Sequence, residues 1–201
     1  MVVDLNFHRV KKKILLIIFL LFSTNSYSQD YNFKKITKLD QPWGSSFISN
    51  DEIIVTEKDG KIKIVNINSK NTFEIKHNLN FLSVGQGGLL DILYKDNFIW
   101  VSYSEDRGNS KTSTSIAKAK LDKKELNFKN IFQANPPIDS GYHFGSRLAI
   151  KGNYLFASAG ERGQGMIAQD PKKHPGSIIR IYTNGRIPKD NPKFEGKSDW
   201  L

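Results

Sequence analysis

The chain has 201 residues, 38% of them hydrophobic and 25% charged, which suffices for one domain with a buried core. It contains no cysteine, which excludes disulfides, thiolate metal sites, a cysteine nucleophile and a lipid anchor on cysteine. The net charge of +10 is scattered along the chain, a pattern of solvated surface and not of a nucleic-acid footprint.

Residues 1–28 have the pattern of a secretory signal peptide. Arg9, Lys11, Lys12 and Lys13 precede the apolar run Ile14–Phe22, and the small residues Ser26 and Ser28 follow. Cleavage is expected after Ser28, which places the mature protein in the periplasm or outside the cell. Four basic residues against Asp4 give this segment +3, leaving +7 for the remainder. The apolar run is shorter than the roughly 20 residues a spanning helix needs, so no stable membrane anchor is expected; an uncleaved N-terminal anchor is the alternative. His8 falls in this segment.

From residue 29 the chain reads as strands, with period-two alternation, turn residues between, and no amphipathic helix. A first set covers Gly44–Ile48, Ile53–Glu57, Ile62–Ile67 and Thr72–Ile75. The Asp59-Gly60 pair inside it predicts a hairpin with a type I′ turn. A second set covers Leu89–Tyr94, Phe98–Ser102, Thr114–Ala119 and Phe128–Phe132. A third covers Arg147–Ile150, Tyr154–Ala159 and Ser177–Tyr182. His77 is placed in a linker and His174 on a loop surface.

The three sets share one grammar of glycine, alternating strand, polar turn and apolar strand: "GSSFISNDEIIV", "GGLLDILYKDNFIWV" and "FGSRLAIKGNYLFA". Repetition at this spacing predicts an all-β propeller of four-stranded antiparallel blades, with a β-sandwich as the alternative. Residues 29–201 hold about three blades at roughly 45 residues each, whereas propellers close with about 4–8. The chain is therefore read as a partial propeller, an N-terminal portion; an arc completed by self-association is the minority reading.

Propeller topology sends the segment before each innermost strand and the loop after each second strand to one face. "SVGQGG", "SGYHFGS" and "GERGQGMIAQDPKKHPG" are those segments. Gln86, His143, Glu161, Arg162 and Gln169 should therefore project from a common face. A histidine beside a carboxylate is a general-base arrangement, because the carboxylate fixes the imidazole tautomer. It also has many structural uses, and the residues alone leave both open. No pair of histidines has zinc-ligand spacing, and the metal ligands, if any, stay unassigned. "GQGG" is not followed by a helix, so it is no dinucleotide fingerprint.

"QPWGSSF", "GQGGLLDI", "HFGSRLAI", "GERG", "AQD", "GSIIRI" and "GRIPKDNP" occur in that order. Together they resemble the soluble aldose sugar dehydrogenases that use pyrroloquinoline quinone (PQQ), the glucose/sorbosone dehydrogenase family, from about Leu39 to Pro192. The resemblance implies a six-bladed propeller carrying PQQ and calcium, in some members a homodimer. It implies oxidation of the anomeric carbon of aldoses to lactones, with electrons passed on to an external acceptor. By the same resemblance His143 is the base that takes the hydroxyl proton while hydride passes to the quinone. Glu161 is its acidic partner, Gln86 contacts the cofactor or the sugar, and Gln169 is a further contact on the cofactor side. Arg162, placed on the same face, is assigned to the cofactor side with them. The family's arginine that polarises the quinone, its basic residues for the cofactor carboxylates and its main calcium ligands lie in later blades. The 201 residues alone are therefore expected to be inactive. A non-catalytic exported binding module is the alternative.

Overall fold

The structure is a computed structural model that describes residues 31–192. The chain falls into two compact units, 1–35 and 36–201. Of the first, residues 31–35 are described and form no regular element. The expected signal peptide lies outside the described residues.

The second unit is built of strands. Strands β1 (Pro42–Phe47), β2 (Glu52–Glu57), β3 (Ile62–Asn66) and β4 (Thr72–His77) form the first antiparallel sheet. β5 (Leu89–Lys95), β6 (Phe98–Asp106), β7 (Thr112–Lys120) and β9 (Lys129–Gln133) form the second. β10 (Gly145–Lys151), β11 (Tyr154–Ala159) and β12 (Ile178–Tyr182) form the third. A two-residue strand, β8 (Glu125–Leu126), leaves the second sheet's path and pairs in parallel with β4 of the first. No periodicity can reveal so short a strand. It fastens one blade to its neighbour.

The leading strands lie side by side, β1 beside β5 and β5 beside β10, while the sheets face each other. This is an arc of a β-propeller. The second sheet is covered on both faces, and period-two alternation shows how. Ile99, Val101 and Tyr103 of β6 join the core shared with Ile54, Ile62, Ile64 and Ile75 of the first sheet. Trp100, between them, joins the core shared with Leu148, Leu155 and Ile179 of the third. Burying each such aliphatic side chain stabilises the arc by about 1.5–3 kcal/mol.

The hairpin at Asp59-Gly60 exists, but its turn is not type I′. The Gly60 N–H donates to the Glu57 carbonyl at 3.0 Å, so Lys58 and Asp59 are the central residues, and Gly60 follows with φ +108°. That is a three-residue loop, a type I turn followed by a glycine bulge. A Cβ at Gly60 would lie 2.0 Å from the Phe81 ring. The two-residue turn with both central φ positive occurs instead at Asp96 and Asn97, between β5 and β6. His77 and His174 also sit differently from expectation. His77 ends β4, with its Nε2 2.7 Å from the Gly60 carbonyl oxygen. His174 is buried: its Nδ1 accepts from the Asn135 N–H at 2.9 Å, and its own N–H donates back to the Asn135 carbonyl.

One device repeats in every blade. Each leading strand carries a bulge, at Trp43-Gly44, Leu90-Asp91 and Ser146-Arg147. Opposite each bulge the second strand places a hydroxyl, on Thr56, Ser102 or Ser158. Thr56 Oγ1 accepts from the Gly44 N–H at 3.0 Å, Ser102 Oγ from Asp91 at 2.9 Å, and Ser158 Oγ from Arg147 at 3.1 Å. The first two hydroxyls then donate to the next blade's bulge, at the Leu90 carbonyl (2.5 Å) and the Ser146 carbonyl (2.6 Å). Removing Ser102 Oγ leaves a buried N–H and a buried carbonyl without their partner. Ser102→Ala is expected to lower unfolding stability by about 1–3 kcal/mol, measured by urea denaturation. A loss no larger than that of the exposed control Ser69→Ala would sink the stitching role.

Candidate active site

Three segments meet at one end of the arc: 83–88 before β5, 140–146 before β10, and 160–165 after β11. Their backbones touch. The Gln86 N–H donates to the Gly141 carbonyl at 2.7 Å, and the Arg162 N–H to the His143 carbonyl at 3.3 Å. A Cβ on Gly160 would lie 1.9 Å from the His143 carbonyl oxygen, so only glycine allows this approach.

His143 sits at the junction with φ +50°, a left-handed conformation that histidine tolerates better than most residues but at a cost of about 1–2 kcal/mol. Its backbone N–H donates to Gln86 Oε1 at 2.9 Å. Its ring Nδ1 is hydrogen-bonded to Glu161 Oε1. The same carboxylate oxygen accepts the Gly163 N–H at 3.1 Å, which ties it to its own loop. The His143 side chain is 54% exposed and that of Glu161 28%. With Nδ1 engaged, Nε2 is the free nitrogen of the pair. The hydrogen bond from His143 holds the Glu161 carboxyl below the usual carboxylate range. Tyr142, itself exposed, stands next to this ring with centroids 6.3 Å apart.

The sequence-predicted residues divide into three groups. Gln86, His143 and Glu161 form one connected chain of contacts. Gln169 ends a short 3-10 helix, Gly165–Gln169, that no periodicity marks, and it is exposed. No hydrogen bond joins it to the other three. Arg162 does not project from the face. It is 2% exposed, and its guanidinium turns inward onto the Phe144 ring, 3.6 Å from the centroid. Arg162 has φ +59°, and its side chain meets acceptors on Thr112, Ser140 and Tyr142 under the loop.

Sequence reasoning missed Asp91 and Arg147 as a linked pair. The buried Asp91 carboxylate accepts the Leu148 N–H at 2.8 Å and an Arg147 N–H at 3.0 Å. Arg147 also lies over the Trp43 ring, 5.0 Å from its centroid. All three residues are on leading strands. Their common position at the bulges was the available signal.

The family model for glucose/sorbosone dehydrogenases matches residues 39–199. The chain is 33% identical over 165 residues to the aldose sugar dehydrogenase YliI of Escherichia coli, spanning 77% of this chain and 44% of that protein. Among solved structures, the apo-form soluble aldose sugar dehydrogenase of Escherichia coli superposes with a TM-score of 0.75 at 31% identity, over 81% of this chain and 50% of the other. The PQQ-bound aldose sugar dehydrogenase of Streptomyces coelicolor has a TM-score of 0.69 at 24% identity, over 80% and 50%, and supports the fold. The chain thus spans about half the length of these relatives.

Two outcomes follow from the geometry. Gly160→Ala is expected to push the His143 segment away and cost about 1–3 kcal/mol, read by thermal unfolding; an unchanged melting temperature contradicts the close approach. The folded Glu161 pKa is lowered, so its contribution is complete above the ordinary carboxylate pKa of about 4.3 and is lost as pH falls through the lowered value. The Glu161 side-chain carbon NMR signal should titrate below the ordinary carboxylate range in the folded protein, and Glu161's link to His143 should persist until pH falls through that lowered value.

Proposed function

The chain belongs to the glucose/sorbosone dehydrogenase family, and from that membership we propose that it supplies the base side of an exported aldose dehydrogenase. The observation that carries the reading is the His143–Glu161 pair at the junction of three loops, with Nε2 left free. Oxidation of an aldose at its anomeric carbon removes the hydroxyl proton and a hydride, and the C–O bond becomes the lactone carbonyl. His143 Nε2 takes the proton. Glu161 holds the Nδ1 proton, fixes the tautomer and offsets the charge of the imidazolium that forms. Gln86 places the His143 backbone through its Oε1, and its amide nitrogen takes no acceptor among the described residues.

PQQ, when bound, supplies the two-electron acceptor for the hydride, and an external acceptor re-oxidises it. The residues present fit the base side of that group: an exposed imidazole nitrogen and the side-chain amide of Gln86, with Gln169 on the adjoining loop. They do not supply the grip on its carboxylates, because Arg162, the arginine of these loops, is turned onto backbone carbonyls. That grip belongs, in this reading, to the rest of a protein about twice this length. Calcium has no such fit: no group of three or more histidine or acidic side chains among the described residues could hold a metal. No step is assigned to it.

The basic and apolar N-terminal segment supports export, and cleavage after Ser28 is the corresponding proposal. Residues 29–201 by themselves are not expected to turn over. The complete protein, mixed with PQQ and aldoses, is expected to reduce a dye. His143→Asn should lower kcat by about 10²–10⁴-fold. An unchanged rate in that variant removes the base assignment, and no dye reduction by the complete protein removes the enzyme reading.

A further inference from the structure

We propose that Arg162 is a positioning residue for His143, acting as a buried clamp on the segment that delivers the base. The proposal rests on the reading of His143 as that base. Arg162 is a guanidinium almost wholly removed from water, yet no carboxylate among the described residues lies within ion-pair distance of it. Burial without such a partner pushes its pKa down to about 10. A cation in that situation is costly unless its donors are all used.

Four of its five N–H donors are used, on two segments of the chain. Nε donates to the Tyr142 carbonyl at 3.0 Å, and one terminal nitrogen to the Ser140 carbonyl. The other terminal nitrogen donates to the Thr112 carbonyl at 3.0 Å, and the nitrogen that meets Ser140 also donates to Thr112 Oγ1 at 2.7 Å. Thr112 opens β7 in the second sheet. Ser140 and Tyr142 lead directly into His143. The guanidinium therefore pins the approach to His143 against a neighbouring blade.

Its own backbone completes the hold, since the Arg162 N–H donates to the His143 carbonyl and Phe144 lies beneath the guanidinium plane. His143 needs such a hold. Its left-handed φ is intrinsically unfavourable and persists only where the surroundings over-determine it. Gln86 Oε1 fixes its N–H from one side, and Arg162 fixes the carbonyls of Tyr142 and Ser140 from the other. Four directed donors on a planar fork are what arginine offers and lysine does not.

The test compares Arg162→Lys and Arg162→Met with the unmodified complete protein, below the melting temperature of each. The nitrogen NMR shifts of the His143 ring, recorded without sugar or cofactor, read the Nδ1 hydrogen bond to Glu161 directly. Both variants are expected to lose the fixed tautomer. With PQQ and an aldose, kcat should fall on the order of 10²-fold, as misplacement of a reacting group costs, while KM stays within about threefold. Lysine should not rescue, although it keeps the charge. Folded variants with unaltered His143 shifts overturn the proposal and leave Arg162 a role in stability alone. Should neither variant fold, Thr112→Val removes one acceptor and leaves the rest. A partial shift of the His143 signals then supports the clamp, and unaltered signals overturn it. If the unmodified protein shows no dehydrogenase activity but the variants still shift the His143 signals, the clamp stands and the enzymatic reading falls.

Discussion

The arc depends on a hydroxyl placed opposite a bulge. A bulge leaves one backbone N–H without a ladder partner, and at the first two bulges that group is buried. Thr56, Ser102 and Ser158 each accept that N–H with a side-chain oxygen. Thr56 and Ser102 pass the bond on to the carbonyl at the next blade's bulge. One side-chain atom therefore satisfies a defect within its own sheet and fixes the distance to the neighbouring sheet. Hydrophobic packing between blades is non-directional and would permit sliding. The relay of N–H, hydroxyl and carbonyl does not. Asp91 adds a second tie at the same level, from a leading strand of one blade to the backbone N–H of Leu148 in the next.

The loops of the site inherit their position from these ties. Segment 140–146 runs into the third bulge, and segment 83–88 into the second. Thr114 Oγ1, from the second sheet, accepts no such defect but donates to the Phe144 carbonyl at 2.8 Å, one residue past His143. His143 is therefore held on both flanks, by Arg162 before it and by the second sheet after it. The left-handed conformation of His143 is thus held by contacts within the chain itself.

The blades are repeats, and the repeats show how one position takes two roles. Three residues beyond Ser102 stands Glu105, and three beyond Ser158 stands Glu161, in "SYSED" and "SAGER". Glu105 turns into its own sheet. It accepts from Ser115 at 2.6 Å, from Asn130 at 2.8 Å and, at both carboxylate oxygens, from Gln133 Nε2 at 2.6 and 2.8 Å. Burial, together with the charge of Glu105, raises the pKa of the Tyr103 hydroxyl. Glu161 has no such pocket. Gly160 stands where the second blade has Ser104, and its missing side chain lets the His143 carbonyl approach, so Glu161 meets the imidazole instead.

The sequence by itself determined the all-β class, the positions of eleven of the strands and the family. Period-two alternation between turn residues is a local signal, and seven short motifs in order are a collective one. It also placed Gln86, His143 and Glu161 on one face, because propeller topology alone decides which loops share an end. Only the tertiary structure decided the rest. The pairing of β8 with β4 rests on two residues from distant parts of the chain, which no pattern registers. The turn at Gly60 was set by bulge geometry and the Phe81 ring, not by its dipeptide. Arg162 read as a contact on the cofactor side because its loop belongs to the site face, and its inward turn follows from a left-handed backbone and four acceptors, two on Thr112 of β7 and two in the segment before β10. Such choices depend on groups brought together from far along the chain, and they exist only once the blades have packed.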